Sequence, residues 1–152
     1  MIFEGENNQF LELKIVDYQF NEFIDNLFDA NWLCIDFEVK SALKSFKIRD
    51  AALLVSEVHQ IIDWFKKLLD HKILVETTLS FIEPSLSFTL LKNTKEEKHF
   101  KIEVEVPRSD NAPNKKLSVN CIYNTEELFK IVSALKEEVK LFPLRTVKNT
   151  TT

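Results

Sequence analysis

The strictest pattern in the chain is the alternation of apolar and polar side chains between Trp32 and Lys40. The apolar members are Leu33, Ile35, Phe37 and Val39, and the members on the other side are Cys34, Asp36, Glu38 and Lys40. Because successive side chains of a strand point to opposite faces of its sheet, this pattern predicts a strand with one buried and one solvated face. A solvated face is typical of antiparallel sheets, since parallel sheets are covered on both sides.

Six further segments have the composition of strands, and most are joined by short polar turns. They are residues 10–18, 45–54, 75–82, 86–92, 99–106 and 117–122. The connection at residues 107–116 is longer and polar and contains two prolines, which predicts a loop.

Two segments have the apolar period of amphipathic helices. The first covers residues 57–70, with Ser56 as its predicted N-cap. The second follows Asn124, whose spacing from Glu127 is that of a capping box, and Pro143 ends it. Both helices need an apolar sheet face to cover. We therefore predict an α+β fold with one curled, mostly antiparallel sheet of about seven strands, in the order βββ-α-ββββ-α.

The composition of the 152 residues, 45% apolar and 29% charged, fits a globular protein. The sequence shows no internal repeat and no long linker, so we expect a single domain over residues 1–147 and a frayed tail at 148–152. Neither a signal peptide nor a membrane span follows Met1, which indicates a cytoplasmic protein with Cys34 and Cys121 as reduced thiols.

Residues that could carry chemistry do not occur at the spacings that catalysis or metal binding require. His59, His71 and His99 have no HExxH or CxxC neighbours, and the single glycine, Gly5, disfavours a phosphate-binding loop or a GxSxG turn. We expect no catalytic residue, no metal and no cofactor. An enzyme that uses Cys121 or a carboxylate stays open as an alternative, because such partners meet in space and not in sequence.

Acidic residues concentrate in the first forty positions, where nine Asp and Glu accompany Lys14 and Lys40. Such a surface disfavours nucleic acid and anionic membranes and favours a basic protein, although a merely solvated face is the simpler interpretation. Residues 20–31 combine these acids with aromatic residues at helical spacing, which is either a short helix over one end of the sheet or a partner-binding surface. The candidate partner-binding residues are Glu22, Phe23, Asp25, Phe28, Asp29, Asp36 and Glu38.

The order of several short motifs resembles that of the WapI family of immunity proteins. The motifs are Leu11-Glu12-Leu13, Tyr18, Asp29-Ala30-Asn31-Trp32-Leu33, Ala52-Leu53-Leu54 with the following helix, Leu79-Ser80-Phe81 to Leu86-Ser87-Phe88-Thr89-Leu90, Ile102-Glu103-Val104, and Phe142-Pro143-Leu144-Arg145. The resemblance covers about residues 8–145. Residues 20–28 depart from the family pattern, with no proline after the Tyr18 region, so we expect partner specificity to differ there.

The resemblance implies a cytoplasmic bacterial protein of a contact-dependent inhibition system. It would bind the C-terminal domain of a cognate secreted toxin, which in the family's namesake system is a tRNA nuclease, and inhibit it by stoichiometric occlusion without catalysis. The family supplies no catalytic motif. The residues leave open a small apolar-ligand-binding or structural domain that uses the Phe-rich interior, and they do not fix the oligomeric state.

Overall fold

The computed structural model describes residues 1–20, 26–72, 78–108 and 110–146. The strands are β1 Ile2–Glu4, β2 Phe10–Tyr18, β3 Trp32–Lys40, β4 Ser45–Leu54, β5 Thr78–Ser80, β6 Leu86–Asn93, β7 Glu97–Val106 and β8 Lys115–Asn124. The helices are α1 Leu27–Ala30, α2 Val55–Leu69 and α3 Thr125–Lys140.

The predicted α+β fold with antiparallel strands is confirmed. The eight strands form two four-stranded sheets, ordered β1-β2-β3-β4 and β5-β6-β7-β8, where we expected about seven strands in one curled sheet. The short elements β1 and α1 are additional. A long helix follows each sheet directly, so the order ββββα occurs twice along the chain. The predicted strand at 75–82 is seen at Thr78–Ser80, and residues 73–77 and the predicted tail lie outside the described residues.

The alternation in β3 has the predicted result. This strand lies between β2 and β4, and its four apolar side chains are at most 2% exposed. The opposite face carries Asp36 and Glu38 beside polar residues of the two neighbouring strands.

The two long helices begin differently. At α3 the predicted capping box is confirmed, because Asn124 Oδ1 accepts from the Glu127 amide at 2.8 Å and the Glu127 carboxylate accepts from the Asn124 amide at 2.9 Å. At α2 the prediction of Ser56 as N-cap is wrong, since the helix begins at Val55 after Leu54. Leu54 and Val55 are both buried, and the Glu57 carboxylate accepts from the Leu54 amide at 2.9 Å. An apolar corner capped by Glu57 therefore replaces the expected serine cap.

Each long helix contacts elements of the other half of the chain. Phe65 of α2 stacks on Phe3 of β1 with ring centroids 6.0 Å apart. It also meets Phe88 and Phe100 of the second sheet edge-on, at 5.6 and 5.3 Å. One side chain thus joins both sheets in the centre of the core.

The last helix makes the reciprocal contact with the first sheet. The Glu138 carboxylate of α3 accepts from the Ile15 amide at 2.8 Å and from the Met1 amino group at 3.1 Å. The Ile15 amide lies where β2 and β3 shift register, so Glu138 supplies an acceptor where the strand ladder is interrupted.

The outer edges of the two sheets are protected in different ways. The Gly5 backbone lies so close to β8 that a Cβ there would be 2.6 Å from Val119 Cγ1 and 2.7 Å from the Asn120 carbonyl oxygen, which explains the glycine. In the described chain β4 pairs with β3 alone, and it exposes the charged residues Lys47 and Asp50. Charges on an edge strand oppose pairing with another strand.

Within the described ranges, no helix combines the length and the apolar character that crossing a membrane requires.

Candidate functional site

The structure divides the predicted partner-binding residues among three groups. Glu22, Phe23 and Asp25 lie outside the described residues. Phe28 and Asp29 belong to α1, and Asp36 and Glu38 lie on the outer face of β3. The Phe28 ring meets Trp32, the first residue of β3, edge-on at 5.7 Å, so α1 sits at the start of that strand. Asp36 is four residues farther along, about 13 Å away.

The two carboxylates on β3 already have cationic partners in this chain. Asp36 accepts two hydrogen bonds from the Arg49 guanidinium, at 2.6 and 2.8 Å, and Glu38 lies 3.2 Å from Lys47 Nζ. The hydrogen bond from Arg49 lowers the pKa of the Asp36 carboxyl. These cross-strand pairs line an open cleft of about 330 Å³ on the outer face of the first sheet. A partner's cation at this face would have to share the two carboxylates with Arg49 and Lys47, or displace these two side chains.

The N-terminus of α1 is capped by a side chain of the same segment. Asn26 Oδ1 accepts from the Phe28 amide at 3.0 Å, which caps the helix, and Asn26 Nδ2 donates to Asp29 at 2.8 Å. Phe28 is exposed and Asp29 is half-buried. An apolar side chain and a carboxylate are therefore presented together on one short turn.

The end of this turn is joined to residues near the C-terminal end by a pair of reciprocal hydrogen bonds, which we call the Asn31–Arg145 junction. Asn31 Oδ1 accepts from the Arg145 amide at 2.8 Å, and Asn31 Nδ2 donates to the Arg145 carbonyl at 3.1 Å. The same Nδ2 donates to the Leu27 carbonyl at 2.7 Å. Asn31 is 7% exposed. Its side-chain amide both accepts from and donates to the Arg145 backbone, as a backbone amide of a paired strand would.

The Arg145 side chain extends the junction. Its guanidinium donates to the Phe20 carbonyl at 2.7 Å and to the Ala30 carbonyl at 3.4 Å, and it lies 3.5 Å from the centroid of the Tyr18 ring. The Tyr18 hydroxyl in turn donates to the Pro143 carbonyl. Burial raises the pKa of Tyr18, although the Arg145 charge opposes the shift, and the hydroxyl therefore stays protonated as a donor.

The sequence motifs that meet here are two of those that resembled the immunity proteins, at residues 29–33 and 142–145. A model of the Immunity protein WapI-like family matches residues 1–143. The chain belongs to the WapI-like immunity protein family. No curated protein and no solved structure matches it. The WapI-like match includes both sheets and all three helices, and it ends at Pro143, beside the junction.

Sequence reasoning did not assign the junction as a site. Asn31 and Arg145 belong to separate WapI-like motifs, but a contact between a side-chain amide and a distant backbone leaves no periodic signal. The signal that could have found the junction is the presence of both motifs in one chain. Together with the topology of the fold, it would have predicted a contact between them.

The remaining reactive side chains of this WapI-like protein are dispersed. His59 is exposed on α2, while His99 on β7 contacts Glu97 at 2.9 Å. In the part of the chain that the structure describes, no three His, Cys, Asp or Glu residues are grouped as a metal site. Burial raises the pKa of the Cys121 thiol to about 12, which keeps it protonated, and Cys34 is half-buried.

The interior that an apolar ligand would need is occupied by side chains. Trp64 of α2 lies 6.1 Å from Phe88 and 6.4 Å from Phe100, measured between ring centroids, and Phe100 packs on Tyr123 at 5.3 Å. Close aromatic packing of this kind counts against a ligand cavity between the two sheets.

Proposed function

We propose that this WapI-like protein is a cytoplasmic immunity protein that neutralises the C-terminal domain of a cognate secreted toxin in a contact-dependent inhibition system. The family match over residues 1–143 is the observation that carries the proposal. Inhibition is stoichiometric: the protein occupies the toxin's active surface and performs no catalysis. A nuclease domain fits best, because its phosphate-binding surface is basic and the first forty residues of this chain are acidic.

The contact residues we propose are those with the required charge or aromatic character. They are Glu22, Phe23, Asp25, Phe28, Asp29, Asp36 and Glu38. Their environments support different contributions. Phe28 and Asp29 stand on α1 with accessible surface, whereas Asp36 and Glu38 are paired within the chain. The carboxylates on β3 therefore act mainly by steering a basic partner from a distance, while α1 makes close contact.

The test is to express the toxin domain encoded beside this chain with and without the immunity protein. Growth should be restored, and the purified proteins should form a 1:1 complex whose association slows as salt is added. Inhibition should be complete at one equivalent of immunity protein per toxin domain. Below one equivalent, the inhibited fraction should equal the ratio of immunity protein to toxin domain. Failure to restore growth together with failure to form a complex rejects the proposal, and full protection well below one equivalent rejects occlusion in favour of catalysis.

A further inference from the structure

Exposed apolar side chains are concentrated around the Asn31–Arg145 junction. Four exposed large apolar residues of the described chain lie there. They are Phe20, Leu27, Phe28 and Leu144, which are between 38% and 55% exposed. We call these four residues the composite patch. Scattered apolar residues on a surface are ordinary, but several gathered at one place mark an interaction site.

Hydrogen bonds bring the backbones of the patch residues together, although these residues are far apart in sequence. The Phe20 carbonyl accepts from the Arg145 guanidinium at 2.7 Å. The carbonyls of Leu27 and Phe28 accept from the side chain and the backbone amide of Asn31, at 2.7 and 3.3 Å. Leu144 directly precedes Arg145 in the chain. The backbone of every patch residue is thus bonded to, or adjacent to, one of the two junction residues.

We propose that the composite patch is the close-contact surface for the toxin domain, and that Asn31 and Arg145 are positioning residues that hold it in shape. The inference rests on the proposed function and adds Phe20, Leu27 and Leu144 to the interface. It also separates two roles. Patch residues touch the partner, while the junction residues act only through the patch.

The occupant follows from the charge around the patch. Between Ile15 and Asn31 the sequence has the acids Asp17, Glu22, Asp25 and Asp29 and no Lys or Arg. The nearby Arg145 guanidinium is turned inward, where it donates to two carbonyls and lies on the Tyr18 ring. An apolar centre on chain segments that carry acids and no cation between Ile15 and Asn31, with Asp17 and Asp29 among the described residues, fits a protein with an apolar centre and a basic rim. A second copy of this chain would bring acid against acid, and an anionic membrane would be repelled.

A positioning role is expected because α1 cannot hold itself. A helix of four residues is far too short to be stable alone, so its conformation depends on contacts from elsewhere. The junction supplies them through Asn31 and Arg145. Without the junction, the patch would have to become ordered when the partner binds. The free-energy cost of that ordering would weaken binding.

The patch is tested with two matched pairs of substitutions in the full-length protein, by titration with the purified toxin domain. Leu144→Ala is compared with Leu141→Ala, which removes a more exposed leucine (75%) three residues earlier. Phe28→Ala is compared with Phe129→Ala, which removes an exposed phenylalanine on α3, about 17 Å from the helix end near the junction. We expect Kd to rise about 10-fold or more for each patch variant and less than about 3-fold for each control.

The positioning role is tested by a double-mutant cycle between Arg145→Ala and Phe28→Ala. If Arg145 acts through the patch, Phe28→Ala should cost much less affinity when Arg145 is already absent, so that the two effects are not additive. Hydrogen exchange of the free Arg145→Ala variant should be faster at the amides of residues 28–31 and unchanged in β7. Additive losses of affinity, or faster exchange throughout the protein, would show a general structural role and overturn this assignment.

The outcomes separate this inference from the proposed function. If the unaltered protein fails to bind the toxin domain, the proposed function fails. If it binds and the patch variants behave like their controls, the function stands and the composite patch is rejected. Concentration-dependent dimerisation that Leu144→Ala abolishes, or binding to phosphatidylglycerol vesicles, would show another occupant and also reject the inference.

Discussion

The two halves of the molecule share an order of elements and differ most in the connection between their second and third strands. Each half has four antiparallel strands followed directly by a long helix. The second and third strands are joined in the second half by residues 94–96, a tight turn closed by hydrogen bonds between Thr94 and Glu97. In the first half the same position holds residues 19–31, which contain α1 and most of the composite patch.

This difference indicates where the molecule has room for recognition. The repeated elements bury the core and cap the helices, and they leave little freedom for substitution. The additional segment in the first half carries exposed aromatic residues and acids that the core does not need. We interpret the common ββββα unit as the scaffold and the extra connection as the place where partners are distinguished.

The largest expected effect comes from Phe65→Ala, which would remove the central aromatic contact between the halves. The ring touches Phe3, Phe88 and Phe100 and is fully buried, so its removal should lower the free energy of unfolding by about 3–5 kcal/mol. Chemical denaturation followed by circular dichroism measures it, with Phe129→Ala as an exposed control (62%) within about 0.5 kcal/mol of the unaltered protein.

The same experiment asks whether the halves are separate folding units. We propose that they unfold together as a single domain, since one side chain joins both sheets. A single cooperative transition is expected for the unaltered protein. Two resolved transitions, with Phe65→Ala shifting one alone, would contradict the proposal.

A smaller effect is expected from the glutamates at equivalent positions of the two long helices. The Glu57 carboxylate is 3% exposed and accepts from the amides of Leu54 and Ile82, both at 2.9 Å. Glu127 is exposed, and among the described residues its carboxylate accepts from the Asn124 amide only. Glu57→Ala should therefore cost about 2–3 kcal/mol and Glu127→Ala about 1 kcal/mol. Urea unfolding of the two variants measures the difference, and equal losses would mean that burial does not distinguish the two caps.

The smallest effect concerns the two cysteines, one in each sheet. A thiol reagent at pH 8 should modify Cys34 in the native protein and Cys121 only after unfolding, since Cys121 is buried. Colorimetric titration of released thiolate measures this. Prompt modification of both thiols would show that the second sheet opens readily.

The same pair gives a pH dependence with a definite sign. Burial raises the pKa of Cys121 from 9.0 to about 12 in the folded protein. This contribution to stability is complete below pH 9 and is lost as the pH rises toward 12, because only the unfolded thiol ionises in that range. Between pH 9 and 11 the stability of Cys121→Ala should fall less steeply than that of Cys34→Ala, and parallel slopes would contradict the assignment.

Local patterns predicted much of this fold. The alternation in β3 and the spacing of Asn124 and Glu127 reflect interactions within a few residues, and both predictions are confirmed. The Ser56 cap failed because burial of Leu54 and Val55 outweighed the local preference for serine. The division into two sheets was not predicted. An alternating pattern indicates which face of a strand is buried, but it does not indicate which strands pair.

The candidate site was predicted in composition more than in geometry. The aromatic and acidic character of residues 20–31 pointed to a surface, and Phe28 and Asp29 are found there. The pairing of Asp36 with Arg49 depends on strand register, and the junction of Asn31 with Arg145 depends on the path of the whole chain. Neither can be read from spacing.

The reciprocal placement of the helices also affects when the protein becomes usable during synthesis. The first sheet receives its contact from Glu138 only after both halves have been synthesised, and the Phe65 ring is enclosed only after β6 and β7 have followed it. A ribosome that has produced the first half holds an incompletely covered sheet. The time needed to synthesise residues 1–138 is therefore the shortest time in which a fully packed first sheet can be renewed.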